Sequence, residues 1–244
     1  MNPPHASSFL FGAFFVFSVV LAAVFVALVT WAVARSGAPR ESIVRWMSLT
    51  AAGAAAWMTL TWVVAASGVI AQFDRRPPPL MVLLLAVLLV SAAIAFSPVG
   101  TRLARALPLA VLVAFQAFRF PLELLMHRAA TEGVMPEQMS YSGRNFDILT
   151  GLSAIVVAIA LYRGAHPRLA AWWNIAGALL LANILIVAVA STPIFAAFGQ
   201  DRLNTWVAYP PFVWLPTVMV VAALSGHLVI WRAGRAGGAG RAGR

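Results

Sequence analysis

Apolar residues fall into seven long runs separated by short polar connections, near 9–34, 46–72, 80–98, 107–127, 147–163, 170–191 and 211–231. A helix rises about 1.5 Å per residue, so runs of this length suit a hydrocarbon layer of about 30 Å. The fifth run is the shortest. The pattern predicts an all-α protein: one seven-helix transmembrane bundle over residues 1–231. The first run sits where a secretory leader would. However, Met1 to Ser8 contains no Lys or Arg, and the run is about twice the length of a leader's apolar region. It is therefore read as a true first helix. From Arg232 onward the chain is Arg, Gly and Ala only. That composition cannot build a core, and it predicts a disordered tail over 232–244.

Polar residues interrupt this pattern most conspicuously in the fourth run. There Gln116, Arg119, Glu123 and His127 are spaced 3, 4 and 4 apart. At about 100° per residue they share one narrow stripe of a helix. A charge facing lipid costs at least ~2.5–3.5 kcal/mol, so the stripe is expected to face the bundle interior or a wet cavity. Arg119 and Glu123, at i and i+4, can neutralise one another. Pro121 removes a backbone hydrogen bond and predicts a kink. The following segment, 128–146, carries turn signals at Gly133, Pro136 and Gly143. Asn145 is positioned as an N-cap for the fifth helix, with Asp147 in its first turn.

Composition narrows the class. The chain has 244 residues, of which 62% are apolar and 10% charged. A soluble globule needs a far larger charged share, about 25%, so a soluble enzyme, a coiled coil and a disulfide scaffold are excluded. All 17 basic residues are arginine, against seven acids, for a net charge of +10. The arginines are scattered through short connections rather than gathered on a soluble face, which argues against nucleic acid.

Arginine placement also predicts orientation. With the N-terminus outside, the inner segments hold eleven arginines and one acid, Glu41, whereas the outer segments hold five arginines and five acids. The expectation is N-terminus outside and C-terminus inside. The tail arginines first of all signal topology, and they would also attract anionic lipid at the cytoplasmic face. Trp172, Trp173 and Trp231 on the inner side, and Trp206, Tyr209 and Trp214 on the outer side, are placed as interfacial belts. Trp206 and Tyr209 would alternatively roof a pocket. Two turns, Arg35-Ser-Gly-Ala-Pro-Arg40 and Arg163-Gly-Ala-His-Pro-Arg168, resemble each other. They would fit a 3+1+3 arrangement with the fourth span between two triplets, although basic turns of such simple composition also arise by chance.

The run Arg119-Phe-Pro-Leu-Glu-Leu-Leu-Met-His127, followed by Pro136-Glu-Gln-Met139 and Gly143-Arg-Asn-Phe-Asp-Ile-Leu-Thr-Gly151, resembles an uncharacterised family of bacterial polytopic integral membrane proteins. The likeness is tightest over 119–151. It extends loosely to Asn174–Gly177 and Trp206–Pro216. It implies a small multi-span protein of a bacterial inner (cytoplasmic) membrane and carries no activity with it.

Several functions drop out. Retinal needs a lysine for its Schiff base, and the chain has none. Four scattered histidines do not suit a membrane zinc hydrolase. Glu123 and His127 alone are two ligands, too few for a metal site. No nucleophile elbow, Walker or dinucleotide motif is present, and no cofactor is implied. His227 is placed near the inner end of the last span as a packing residue, and Asn174 as a bridge between helices.

The leading expectation is a periplasm-facing polar pocket that binds or transports a small polar or anionic solute, with proton linkage through Glu123 or His127. Its residues are Gln116, Arg119, Glu123, His127, Asn145, Asp147, Trp206 and Tyr209. One alternative is a membrane-embedded enzyme acting on a lipid or lipid-linked substrate, with Glu123 and His127 as its acid–base pair. Another is a structural or sensory membrane subunit.

Overall fold

The computed structural model describes residues 3–242, with side chains as far as 235. Among the described residues every long regular element is a helix and there is no strand. Helix α1 spans Ser8–Arg35. It starts where Ser7 accepts the Leu10 N–H and ends with Arg35 in its last turn, where a cation suits the helix dipole. Helices α2 (Arg40–Ala66) and α3 (Pro79–Phe96) follow. A tight turn at Ser97 then opens the short helix α4, Pro98–Ala106, with the Ser97 hydroxyl accepting from Val99 and Gly100 N–H. A side chain at Gly100 would run into the backbone of Ala95, so this turn requires glycine.

The fourth apolar stretch, Leu109–Thr131, is built from α5 (Leu109–Phe115), a 3-10 turn over Gln116–Phe118, and α6 (Arg119–Thr131). Pro121 has no N–H to offer the carbonyl of Ala117, and the helix tightens in the turn just before it. Helix α7 is Ile148–Tyr162, and α8 is Arg168–Ala190. Leu215–Val220 is a π-helical stretch containing Pro216, and it leads into α9, Val221–Ala242.

Among the described residues, six helical stretches are long and apolar enough to cross a membrane: α1, α2, α3, Leu109–Thr131, α8 and Leu215–Arg235. Helix α7, at 15 residues, spans only about 22 Å. The chain is therefore a multi-pass membrane protein. Helix α9 runs helically into the segment from 232 expected as a disordered tail; the side chains beyond 235 and the backbone of 243–244 lie outside the described residues.

Helix α9 occupies the middle of the bundle, packed against α3, α4, α5 and α8. Two thirds of its apolar window is buried, against 39% for Leu109–Thr131. The centre is thus the last span, whereas a 3+1+3 arrangement would put the fourth there. Two hydrophobic cores stack along the bundle. One contains Leu122, Met126, Leu181, Met219 and Ala223; the other contains Val113, Ala154, Trp173, Val229 and Ile230. On the fourth stretch, α8 and α9, polar residues occupy the interval between the two cores: Gln116 and Arg119, Asn174, and Ser225 with His227; α1 passes from one core to the other through apolar residues alone. These residues of the fourth stretch, α8 and α9 form a buried polar layer between the cores.

Candidate functional site

Arg119 begins α6 and is 1% exposed. Its Nε and Nη2 donate to the two carboxylate oxygens of Asp147, and its Nη1 donates to His227 Nε2 at 2.7 Å. An arginine cannot accept, so this His227 nitrogen carries a lone pair. The other, Nδ1, then bears the proton and donates to Asn174 Oδ1 at 2.8 Å. Asn174 Nδ2 donates back to the carbonyl of His227 at 3.1 Å, tying α8 to α9. On the far side, Asp147 N–H donates to Asn145 Oδ1 at 3.0 Å. Asn145 Nδ2 lies 2.9 and 2.8 Å from the two oxygens of Glu123 and 3.0 Å from the Met139 carbonyl. A continuous chain results: Glu123, Asn145, Asp147, Arg119, His227, Asn174.

Local geometry makes room for this chain. Gly151 lets α7 approach the backbone of α6 at Phe120, which brings Asp147, one turn earlier, to Arg119. A Cβ on Gly177 would lie 2.8 Å from the His227 ring, so glycine there is what admits the imidazole. Gly226 likewise makes space for the amide of Gln116, whose Nε2 donates to the Ala223 carbonyl at 3.0 Å.

Several expectations are corrected. The partner of Arg119 is Asp147, from the next helix, and not Glu123 one turn along its own. Two hydrogen bonds from the planar guanidinium outweigh the single-turn attraction of an i,i+4 pair. His227 belongs to the polar layer as Arg119's third contact and is not a mere packing residue. Asp147 is itself the N-cap of α7, two residues later than expected, and Asn145 instead accepts the Asp147 N–H in the turn just before the helix.

His127 stands apart from the chain. Its Nδ1 is 3.0 Å from Ser140 Oγ, and its ring stacks on Tyr141 at 4.5 Å. It does not line a cavity with Arg119 and Glu123, so the expected Glu123/His127 acid–base pair is not assembled. Trp206 and Tyr209 are buried rather than placed at a belt. Trp206 packs edge-on against Phe14 at 5.6 Å and at a tilt against Phe212 at 4.9 Å. Trp173 and Trp214 are buried too, whereas Trp172 and Trp231 are exposed.

The periplasm-facing pocket expected above Arg119 is narrowed by the chain itself. Val134, Met135 and Met139 are buried in the core, as are Val207 and Phe212, so both connecting segments fold down over the bundle end. What remains is a small, partly open cavity of about 80 Å³. Arg119, Glu123, Asp147 and Asn204 are its polar lining, set among residues such as Leu122, Leu181 and Met219. Asn204 donates through Nδ2 to the Ala188 carbonyl at 3.0 Å, while its buried Oδ1 has no partner. Asn204 had no signal in the sequence, being one asparagine in a polar connection. His227 and Asn174 did have one, since each is a polar residue inside an apolar run.

A family model, described as a domain of unknown function (DUF8737), matches residues 77–233. That span holds the whole polar layer, from Gln116 to His227. No curated protein and no solved structure matches the chain. With well over half of its length covered by this one model, the chain belongs to the DUF8737 family.

Proposed function

We propose that this is a seven-crossing protein of a bacterial inner membrane, with its N-terminus outside and α7 as the short fifth crossing. In this reading it binds, and moves across the membrane, a small solute that is cationic or rich in hydrogen-bond donors, in exchange for a proton held at Glu123. The observation that carries the reading is a charge count. The cavity wall holds two acids, Glu123 and Asp147, against one cation, Arg119. His227 accepts from Arg119 and so adds no charge. A net buried charge is costly, so the site is made neutral either by a proton on Glu123 or by a cation beside it.

The free valences support the same sign. Each nitrogen of Arg119 already has a partner, which leaves little for an anion to bind. Glu123 receives one amide group only, and the Oδ1 of Asn204 receives nothing. Both are acceptors, so the cavity asks for a donor. This turns the expectation away from an anionic solute.

The test uses purified protein in detergent at low buffer strength, titrated with sodium, ammonium and guanidinium chlorides. At least one cation is expected to release close to one proton per protein, with no release from Glu123→Gln. A wild-type protein that releases no proton with any of the three overturns the reading. The second reading, a structural or sensory membrane subunit, is favoured by the protein partners found throughout the polar layer. It expects Glu123→Gln to alter stability alone.

A further inference from the structure

A second site lies on the opposite side of α9 from the polar cavity's α6–α7 wall. Helix α2 packs mainly on α1 and on the Leu215–Val220 segment, and it stands off from α3. The gap is a groove of about 360 Å³, within the size range of small-molecule sites. Its α2 wall is one helical stripe: Trp46, Leu49, Thr50, Gly53, Ala54 and Trp57. Leu21, Ile94 and Val221 face them. From Trp46 to Trp57 is eleven residues, or about 16 Å of helix, close to half of a hydrocarbon layer of about 30 Å. The groove therefore has the depth of one leaflet, the one on the side from which α2 enters.

Both ends of the groove are defined. At the inner-core end Trp57 Nε1 donates to the Thr217 carbonyl at 2.7 Å, and Trp214 Nε1 donates to the Met58 carbonyl at 3.1 Å, so α2 is pinned there. At the mouth the guanidinium of Arg102 lies over the Trp46 ring, 4.0 Å from its centroid. Arg45, the neighbour of Trp46 on α2, is exposed. Arg232 is close by, donating through Nη2 to Thr101 Oγ1 at 2.9 Å. The acid of α2's first turn is Glu41. The mouth is thus strongly basic and rimmed by an aromatic ring, while the walls are apolar. In the middle, a Cβ on Gly53 would meet nothing within 4 Å, so the groove is open there.

We propose that this groove holds one acyl chain of an anionic phospholipid, with the lipid phosphate at Arg102 and Arg45. An apolar slot of one-leaflet depth fits a hydrocarbon tail, and the charge at its mouth selects the headgroup. Arginine suits this role because its planar fork meets phosphate oxygens two at a time. The site is separate from the Glu123 cavity and does not depend on it.

The experiment is native mass spectrometry on the full chain, purified and delipidated, then offered dioleoylphosphatidylglycerol or dioleoylphosphatidylcholine. Wild type is expected to retain one phosphatidylglycerol in preference to phosphatidylcholine. Gly53→Leu fills open space and is expected to lower that binding roughly tenfold. Gly53→Ala, a smaller step at the same position, guards against a folding defect and is expected to fall between the two. Arg102→Gln is expected to erase the preference for phosphatidylglycerol while still binding both lipids. Glu123→Gln is expected to bind lipid like wild type. Equal retention of the two lipids by wild type overturns the proposal, as does unchanged binding by Gly53→Leu. A dimer in place of a lipid adduct, lost in Gly53→Leu, would assign the groove to a second copy and overturn it too.

Discussion

Replacing Arg119 tests which acid it serves. The structure gives Arg119 two hydrogen bonds to Asp147 and one to His227, and none to Glu123. Arg119→Met leaves two buried acids facing each other without a cation. Removing one partner of a buried pair costs about 3–5 kcal/mol, because the other is stranded. Asp147→Leu strands Arg119 instead, although Glu123 on the next turn then serves as a distant counter-charge, so its loss is expected near the lower end of that range. The double variant strands neither partner. Its loss is expected to fall short of the sum of the single losses by ~2–3 kcal/mol, near the top of the coupling range for residues in contact. A parallel cycle with Arg119→Met and Glu123→Leu is expected to show weaker coupling, since no hydrogen bond joins that pair. Unfolding in mixed detergent micelles, followed by far-UV circular dichroism, supplies the free energies. If the 119/123 coupling equals or exceeds the 119/147 coupling, Arg119 pairs along its own helix and the interhelical site described above is wrong.

Three further outcomes are expected. Gly151→Ala drives a methyl into the backbone of Phe120 and is expected to cost about 1–3 kcal/mol of stability in the same unfolding assay, whereas Gly53→Ala, in open space, should be neutral or stabilising by up to ~1 kcal/mol. Glu132 accepts from the Ser7 N–H and hydroxyl and from Arg128, and these bonds, that from the Ser7 backbone first, hold its carboxyl below the usual carboxylate range. A lowered value in the folded state means that this clasp is complete above that range and is lost as pH falls beneath it. Amide exchange at Leu10 is expected to quicken there, and Glu132→Gln to remove the pH dependence. Reporter fusions at Glu137 and Arg202 are expected outside the cell membrane and those at Arg105 and Arg168 inside; an inside signal at Glu137 would reverse the orientation.

The helical class and the positions of the long spans were legible because lipid forces every backbone group to be satisfied within its own segment. Hydropathy alone then marks the segments, and the ends matched to within a few residues for α1, α3 and α8. Helix α7 was the weakest, because its flanks are polar: Asp147 at one end, Arg163 at the other. Five members of the polar layer were also legible: Gln116, Arg119 and Glu123 because an ionisable or amide group in an apolar run has few acceptable surroundings, and Asn145 and Asp147 because they stand where a helix start wants a cap and an acid. The expected pocket came out narrower for a different reason. Val134, Met135 and Met139 were read as part of a polar connection, yet three large apolar side chains bury more favourably than the intervening Gly133 and Glu137 resist, and the segment folds inward.

Partner choice was the harder inference. Sequence spacing reports neighbours on one helix, so Glu123 was the visible partner for Arg119. Interhelical partners depend on how closely two backbones approach, and that distance is set by single glycines. Gly151 brings Asp147 within reach of Arg119, and Gly177 admits His227 beside it. Neither glycine carries chemistry, so neither drew attention as part of a site. Yet without them the layer would lose its second acid and its imidazole, and Arg119 would fall back on Glu123. The excess acid that makes the cavity selective for donors would then vanish. In this fold the charge balance of the site is thus fixed by residues that have no side chain, and the substitutions most informative about function are expected at glycine as much as at the ionisable groups it positions.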